Sequence, residues 1–585
     1  MKESKIEIIK RESLGLRGNI ANELANDRDQ FDSATCDLLK THGIYQQDDR
    51  DSRQEKARQG KNREFSLMIR GRIPGGRLSA SQYLAWDAVA NRFAKDQSLR
   101  VTTRQSLQLH GVLKRELKQT IAEINAVLIT TQGACGDVVR NVTQAENPWQ
   151  DPRISQLDRF VVALSNHFLA KTNAYHEIWL NKKQVLNEQV VNGQVVNGQT
   201  KDADNETFYG DTYLPRKFKI AMTVVGNNSV DIYSNDMGFA ATFDDGNQLD
   251  GFFLFVGGGM GMTHNKVETF PRVADCLGWF SVTNLIAVAE AVVAIHRDFG
   301  DRANRKHARL KYVIAEKGID WMRGQVEARS QTQLLDLPLP TWKSPSVLGW
   351  HLMPDGYWAY GLHLTAGRII DCQSRRLKSA IAALVAEYTL DIQLCADQNI
   401  LLLGIRDKAA AQSILEYFGV RESQITALDQ RALACVALPT CGLALNEGER
   451  VLPKYLSLIN AQLEKYGLSA RAPVFRMTGC ANGCARPYTA EIALVGRSKQ
   501  TYSLFGGGCA EGTKLAALLV DNLDENQIIT ALDKLFYCWR QQSNESERLG
   551  DFIRRLGFEQ IRAQLIDAQQ TEKNKKTKTR RRRNE

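Results

Sequence analysis

With 585 residues the chain is too long for one hydrophobic core, and about three domains are expected from length alone. Its 43% hydrophobic and 24% charged residues are those of an ordinary soluble protein. No run of roughly 18 apolar residues occurs, which argues against a membrane-spanning helix. The net charge of +10 is unevenly placed: Thr571–Glu585 holds eight Lys/Arg against two Glu, a net +6, leaving +4 for the rest. A terminal run of like charge reads first as a solvated tail, with nucleic-acid contact the minority reading. The opening MKESKIEIIKRESLGLRGN has no apolar stretch of the signal-peptide kind, so the expected location is the cytoplasm. Eleven cysteines in a reducing compartment favour metal or redox use over disulfides.

In chain order, residues 1–60 are polar and read as an N-terminal arm, with Gly43–Asp51 (GIYQQDDRD) extended rather than packed. FSLMIRGRIPGGRLS, from Phe65, predicts a strand, a Pro-Gly-Gly turn and a helix from Ser79 to Ala94, with Ser79 or Ser81 as its cap. LRVTTRQSLQLHGV (99–112) alternates apolar and polar residues and predicts a strand. On one strand, Arg100, Thr102, Arg104, Gln108 and His110 share a face. A helical stretch follows to about Thr130. Gln189–Thr200 repeats QVVNG in tandem, which reads as duplication in a tolerant surface loop. Arg329–Ser346 is a proline-bearing linker.

An internal repeat runs through this order. VTTRQSLQLHG (101–111) aligns with LCADQNILLLG (394–404), with Gln105 on Gln398 and Gly111 on Gly404. Gly76-Arg77 aligns with Gly367-Arg368, and Gly257–Gly259 echoes Gly506–Gly508. Two halves of similar plan are implied.

Two cysteine pairs carry the chemistry: Cys435-x5-Cys441 in ACVALPTCGLA and Cys480-x3-Cys484 in MTGCANGCARPY. Four thiolates from neighbouring loops suit a 4Fe–4S cluster. Gly442, Gly479 and Gly483 would let backbone approach it. Buried packing thiols are the bland alternative, and zinc the rival metal. Structural zinc favours tighter pairs than a five-residue gap. Cys36, Cys135, Cys276, Cys372, Cys395, Cys509 and Cys538 are isolated and read as packing residues.

Basic residues gather in four structured segments: Arg70 and Arg72 by the turn; Arg100 and Arg104 with Gln108 and His110; Arg140 in GACGDVVRNV; and Arg216, Lys217 and Lys219 in YLPRKFKIAM. Any one could be a solvated strand edge. Together they point to an oxyanion or a ligand rich in carboxylates, which guanidinium forks and ammonium groups match.

YQQDDRD, LRVTTRQSLQLHGVLK, GACGDVVRNV, LPRKFK, VGGGMGMTH and TGCANGCARPY resemble the sulfite reductase hemoproteins and their relatives, the assimilatory nitrite reductases, over about residues 40–565. The resemblance implies an α+β fold: a three-domain assembly of duplicated mixed α/β modules with pseudo-two-fold symmetry around a central siroheme–4Fe–4S site. The expected divisions are an arm (1–60), a ferredoxin-like repeat domain (61–135 with 345–425), a first siroheme-binding module (136–344), a second module with the cluster (426–568) and a basic tail (569–585). It implies that Cys435, Cys441, Cys480 and Cys484 hold the cluster and that Cys484 also binds the siroheme iron. Arg100, Arg104, Gln108, His110 and Arg216 would lie near the carboxylate-rich macrocycle. Arg70, Arg140, Lys217 and Lys219 would cage the substrate.

The implied reaction is six-electron reduction of sulfite to sulfide, with nitrite reduction to ammonia the alternative. Similar nitrite reductases typically have Asn where this chain has Lys219, and a dianion asks for more positive charge. The implied electron donor is ferredoxin or an NADPH-dependent flavoprotein. Some motifs resemble the ferredoxin-dependent members, and the Gly-Gly-Gly runs lack the context of a dinucleotide fold. A rival of another class, a nucleic-acid-associated iron–sulfur protein anchored by Arg580–Arg583, has no recognition motif in the body of the chain.

Overall fold

The computed structural model describes residues 3–180, 188–191, 194–197 and 206–565. The basic tail and part of the tandem QVVNG segment lie outside the described residues. Contacts divide the chain into two compact units, Met1–Gly259 with Ala274–Glu422, and Met260–Val273 with Ser423–Glu585. Among the described residues no helix is long and apolar enough to cross a membrane.

The first half supplies β1 (Ile44–Asp48), β2 (Phe65–Arg70), β3 (Arg77–Leu78), β4 (Leu99–Val101) and β5 (Leu107–Val112). Then come β6 (Thr143–Gln144), a ribbon of β7 (Glu188–Val191) and β8 (Gln194–Asn197), β9 (Ile220–Val224), β10 (Met237–Phe243), β11 (Leu249–Val256) and β12 (Asp275–Ser281). The second half supplies β13 (Gly349–Leu352), β14 (Trp358–Leu362), β15 (Arg368–Ile369), a ribbon of β16 (Asp371–Cys372) and β17 (Arg375–Arg376), β18 (Asp391–Leu394) and β19 (Ile400–Ile405). The second unit holds β20 (Ala432–Ala434), β21 (Phe475–Thr478), β22 (Ile492–Ser498), β23 (Thr501–Gly506) and β24 (Ala517–Leu523).

Two sheets of one plan confirm the repeat. Their orders are β1-β2-β5-β4-β15 and β13-β14-β19-β18-β3. Each half gives its short third strand to the other's sheet: β15 pairs with β4, and β3 with β18. Gly76-Arg77 and Gly367-Arg368 align because both pairs lead into the exchanged strands. The remaining large sheets also match, in the orders β12-β11-β10-β9-β6 and β20-β21-β22-β23-β24. In each, four strands point the same way and one, β11 or β23, runs against them between its two neighbours.

Two expectations change. Residues 1–60 are not an extended arm. They form helices α1 (Lys5–Arg11), α2 (Ile20–Ala25), α3 (Ser33–Leu39) and α4 (Arg50–Arg58), and β1 joins the first sheet beside β2. Leu16, Ile20, Leu38, Leu39 and Ile44 are buried, a sparse apolar set that polar composition hides. Nor is 99–112 one strand. Thr102–Ser106 turns, with Thr102 N–H donating to Ser106 O (2.9 Å) and Gln105 at φ +49°. A left-handed non-glycine residue is costly unless held. The Gln105 amide holds it by pairing like a strand with Gln144, donating to Gln144 O (2.7 Å) and accepting from Gln144 N–H (2.8 Å). The repeat reproduces the turn at Gln398, φ +71°. The helix expected from Ser79 is present as α5 (Ala80–Phe93), capped by Ser79 in a capping box with Gln82.

Candidate functional site

In the second unit β20 and β21 are parallel neighbours, with Ala434 opposite Met477. Cys435 directly follows β20, and Cys480 lies just beyond β21. Pairs far apart in sequence therefore meet at the ends of adjacent strands. Gly479 N–H points at Cys435 Sγ (3.3 Å), and Asn482 Nδ2 at Cys480 Sγ (3.3 Å). Gly479 O accepts from Leu445 and Asn446 N–H (2.7 and 3.0 Å), tying the two cysteine loops together. A Cβ on Gly479 would lie 2.4 Å from Asn446 O, so glycine is required for that approach. Gly442, expected to serve similarly, borders open space. Cys480 is buried and Cys484 exposed, with Cys435 and Cys441 between.

Burial, followed by the neighbouring thiols, raises the Cys480 pKa to about 12 and pushes Cys435 higher still. Such thiols stay protonated until cations displace the protons. Cys435 responds to all three of the other cysteines. Yet no three His, Cys, Asp or Glu among the described residues converge as a single metal ion requires. Two cysteine pairs brought to the ends of adjacent strands suit a polynuclear cluster, in which each thiolate takes a separate iron.

In the first unit the charged residues form two groups. One is a line across the first sheet. Arg70 on β2 stands opposite Gln108 on β5, Gln108 opposite Arg100 on β4, and Arg100 opposite Arg368 on the exchanged β15. Residues directly opposed in antiparallel strands share a face. Gln108, its amide oxygen turned to Arg70, accepts from Arg70 Nη2 (2.6 Å) and Nε (3.1 Å). Arg70 Nη1 also reaches Cys135 Sγ (3.1 Å), so Cys135 does more than pack. His110, two residues past Gln108, is 6% exposed and its Nε2 has no hydrogen-bond partner. Burial, then Arg368, Arg100 and Arg70, hold its pKa well below the ordinary value, so it is neutral near pH 7.

Arg104 leaves this face because the strand turns before it. Its guanidinium instead holds Asn235 Oδ1 (2.5 Å), Ile220 O (2.7 Å) and Asn141 O.

The second group surrounds LPRKFK. Phe218 is fully buried and bridges to Val139, and Arg140 N–H donates to Phe218 O (2.9 Å). Two carboxylates brace the segment. Asp137 takes a fork from Arg305 (2.6 and 3.0 Å) and lies 3.8 Å from Arg216. Asp236 accepts from Lys219 N–H (3.0 Å) and from Arg309 Nε (2.8 Å). Burial lowers the Arg216 pKa to about 10 despite Asp137. For Lys217, between the braces, burial and then Arg140, Lys219, Arg216 and Arg309 all work against its charge, and its pKa falls well below the ordinary lysine value. Such a gathering is stable with an anion as counter-charge.

Arg70, Arg100, Gln108 and His110 thus share one surface, and Arg140, Arg216, Lys217 and Lys219 another neighbourhood of the same unit. Sequence reasoning missed Asp137, Asp236 and Arg309, and used Arg368 only as a repeat marker. The carboxylates lack any motif signal, since their role is to offset charge.

Thiols arranged for a polynuclear cluster and a unit rich in oxyanion-binding cations define a redox iron–sulfur protein acting on an anion. The family model "Nitrite and sulphite reductase 4Fe-4S domain" matches residues 163–334 and 462–574, and "Nitrite/Sulfite reductase ferredoxin-like half domain" matches 58–127 and 351–416. The chain is 42% identical over 561 residues to a Myxococcus xanthus protein named sulfite reductase [NADPH] hemoprotein beta-component, covering 95% of this chain and 96% of that one. It is 40% identical over 568 residues to a Synechococcus elongatus sulfite reductase [ferredoxin], covering 96% and 90%. The Mycobacterium tuberculosis NirA structure superposes with a TM-score of 0.74 at 20% identity, covering 96% of this chain and 98% of that one, a likeness of fold. The chain belongs to the nitrite and sulphite reductase family and is an oxidoreductase.

Proposed function

We propose that this protein is an assimilatory sulfite reductase hemoprotein that reduces sulfite to sulfide with six electrons. The residues fit the two groups this chemistry needs. Cys435, Cys441, Cys480 and Cys484 suit a 4Fe–4S cluster. The face bearing Arg100, Gln108 and the unsatisfied His110 Nε2 suits the carboxylates of siroheme, with Arg70 at its edge for the substrate. When bound, siroheme supplies the iron at which sulfur–oxygen bonds are reduced, and the cluster supplies its electrons. Cys484, the exposed member of its set, is the thiolate that would join them.

The protein's work is charge and protons. Arg140, held by its own loop through Gly136 O (3.1 and 3.2 Å), and Arg70, held by Gln108, keep their charge and orient the anion. Lys217 has a depressed pKa, so once an anion draws a proton to it, it gives that proton up readily as oxygen leaves as water. Lys219 adds the charge that favours sulfite over nitrite. The single observation carrying this reading is Lys217, whose charge four neighbouring cations oppose while Asp137 and Asp236 are engaged by Arg305 and Arg309.

The donor class is ferredoxin or an NADPH-dependent flavoprotein, since relatives of nearly equal identity are named for each. The test is turnover with a chemical reductant: six reducing equivalents consumed per sulfide formed. No sulfide from sulfite, with brisk ammonia from nitrite, would replace this reading by nitrite reduction.

A further inference from the structure

We propose that Arg368, delivered by the second half of the repeat into the first half's sheet, binds a carboxylate of the tetrapyrrole; the proposal rests on the siroheme reading above. Strand exchange sets β15 against β4, with Arg368 opposite Arg100 and Ile369 opposite Leu99. The line Arg70, Gln108, Arg100, Arg368 thus crosses four strands on one face. Arg368 Nη1 donates to Ser98 Oγ (2.9 Å) and its guanidinium lies 3.9 Å from Asp96, contacts that fix the side chain beside β4. It is the first charged influence on His110, ahead of Arg100 and Arg70. His110 keeps a buried, unpartnered Nε2 on that face, an atom whose burial asks for a ligand. With Arg70 turned to the substrate, the Arg100 and Arg368 guanidiniums and an unsatisfied imidazole remain on this face and match a polycarboxylate larger than sulfite.

The repeat supplies an internal control. Arg77 occupies the equivalent place, opposite Gln393 on β18. There the line continues through Leu401 and Gly361 and carries no second cation. Arg77 faces Asp158 (3.5 Å) beside an open cavity of about 800 Å³ whose lining sets Asp158, Asp355 and Asp391 against Arg77 and Arg159. Those acids disfavour a carboxylate ligand.

The test uses full-length protein made in a siroheme-producing host. The readouts are siroheme per chain and its rate of release, followed by absorbance, with iron and sulfide of the cluster assayed in parallel. Arg368→Gln should release the tetrapyrrole about tenfold faster, the scale of one charge-assisted hydrogen bond. Cluster iron should be unchanged, and Arg77→Gln should match the parent. Arg368→Lys should fall between, because an ammonium cannot fork; it also carries the test if Arg368→Gln fails to fold. Release at the parental rate from the glutamine and lysine variants, or equal loss from Arg77→Gln, would overturn the proposal. A parent protein that never takes up siroheme would instead refute the cofactor reading itself, and this proposal with it.

Discussion

The two halves of the repeat build the same sheet and spend it differently. On the first sheet the face bearing Arg100, Thr102, Gln108 and His110 is charged and polar. On the second, the register places Gln393, Cys395, Leu401 and Leu403 at those positions. Leu401 and Cys395 pack there with Val347, Met353 and Ala359, with Leu403 and Trp149 against them. A Cβ on Gly361, the counterpart of Arg70, would lie 1.7 Å from Val347 O, so the chain's own backbone covers that face. Gln393, the counterpart of Arg100, is absorbed by Asn147 N–H (3.0 Å), Gly75 O (3.2 Å) and Ala145 O (3.3 Å). One backbone plan therefore yields a charged face or a packed one according to a few inward residues.

The largest expected effect asks whether either face matters without electrons. Cys484→Ser should abolish sulfite turnover and the coupling of the two cofactors. Cys509→Ser, at a buried thiol facing Thr513 Oγ1 (3.3 Å), should leave both nearly unchanged. Equal effects in iron analysis and turnover would reject the cysteine assignment. Next, the comparison can be inverted directly. Gln108→Leu removes the acceptor from Arg70 and should lower kcat/KM about 10–100-fold with little change in Tm. Leu401→Gln buries an unmatched amide in the apolar counterpart. It should cost about 2–5 kcal/mol in denaturant unfolding and spare turnover per folded molecule. If both variants lose only stability, the faces do not differ in role.

Lys219→Asn should reduce sulfite turnover more than nitrite turnover, measured as the ratio of the two kcat/KM values; parallel losses would remove Lys219 as discriminator. The smallest effect is in pH. Burial and four cations depress the Lys217 pKa, so the folded protein binds fewer protons than the unfolded chain between the depressed and ordinary values. Stability from this group therefore rises with pH across that window. A bound dianion reverses the penalty and draws a proton to Lys217. Sulfate, whose charge is constant near neutrality, should bind tighter as pH falls, with proton uptake visible by calorimetry in two buffers. Lys217→Met should flatten that slope.

Much of this was legible in sequence because it is periodic or spaced. The repeat, the capped helix at Ser79 and the paired cysteines follow local rules that survive into the fold. Strand exchange did not show, because β3 and β15 are two residues long and carry no period. The turn at Gln105 was hidden because alternation continues through it, and what bends the chain is an amide pairing with Gln144. The N-terminal helices were masked by polar composition. Arg104 illustrates the consequence for sites: spacing places it on one face with Arg100 and Gln108, but the turn brings it to Asn235 and two backbone carbonyls. Asp137 and Asp236 became visible only when their partners from distant segments came together.

The central claim is that the charged face serves a siroheme at which sulfite is reduced. The absorption spectrum of the purified protein, recorded before and after adding sulfite, tests it most directly. A haem-like spectrum that shifts with sulfite, and shifts less in Lys217→Met at the same concentration, is the predicted result. A colourless protein from a siroheme-producing host, or a haem spectrum indifferent to sulfite, would contradict it.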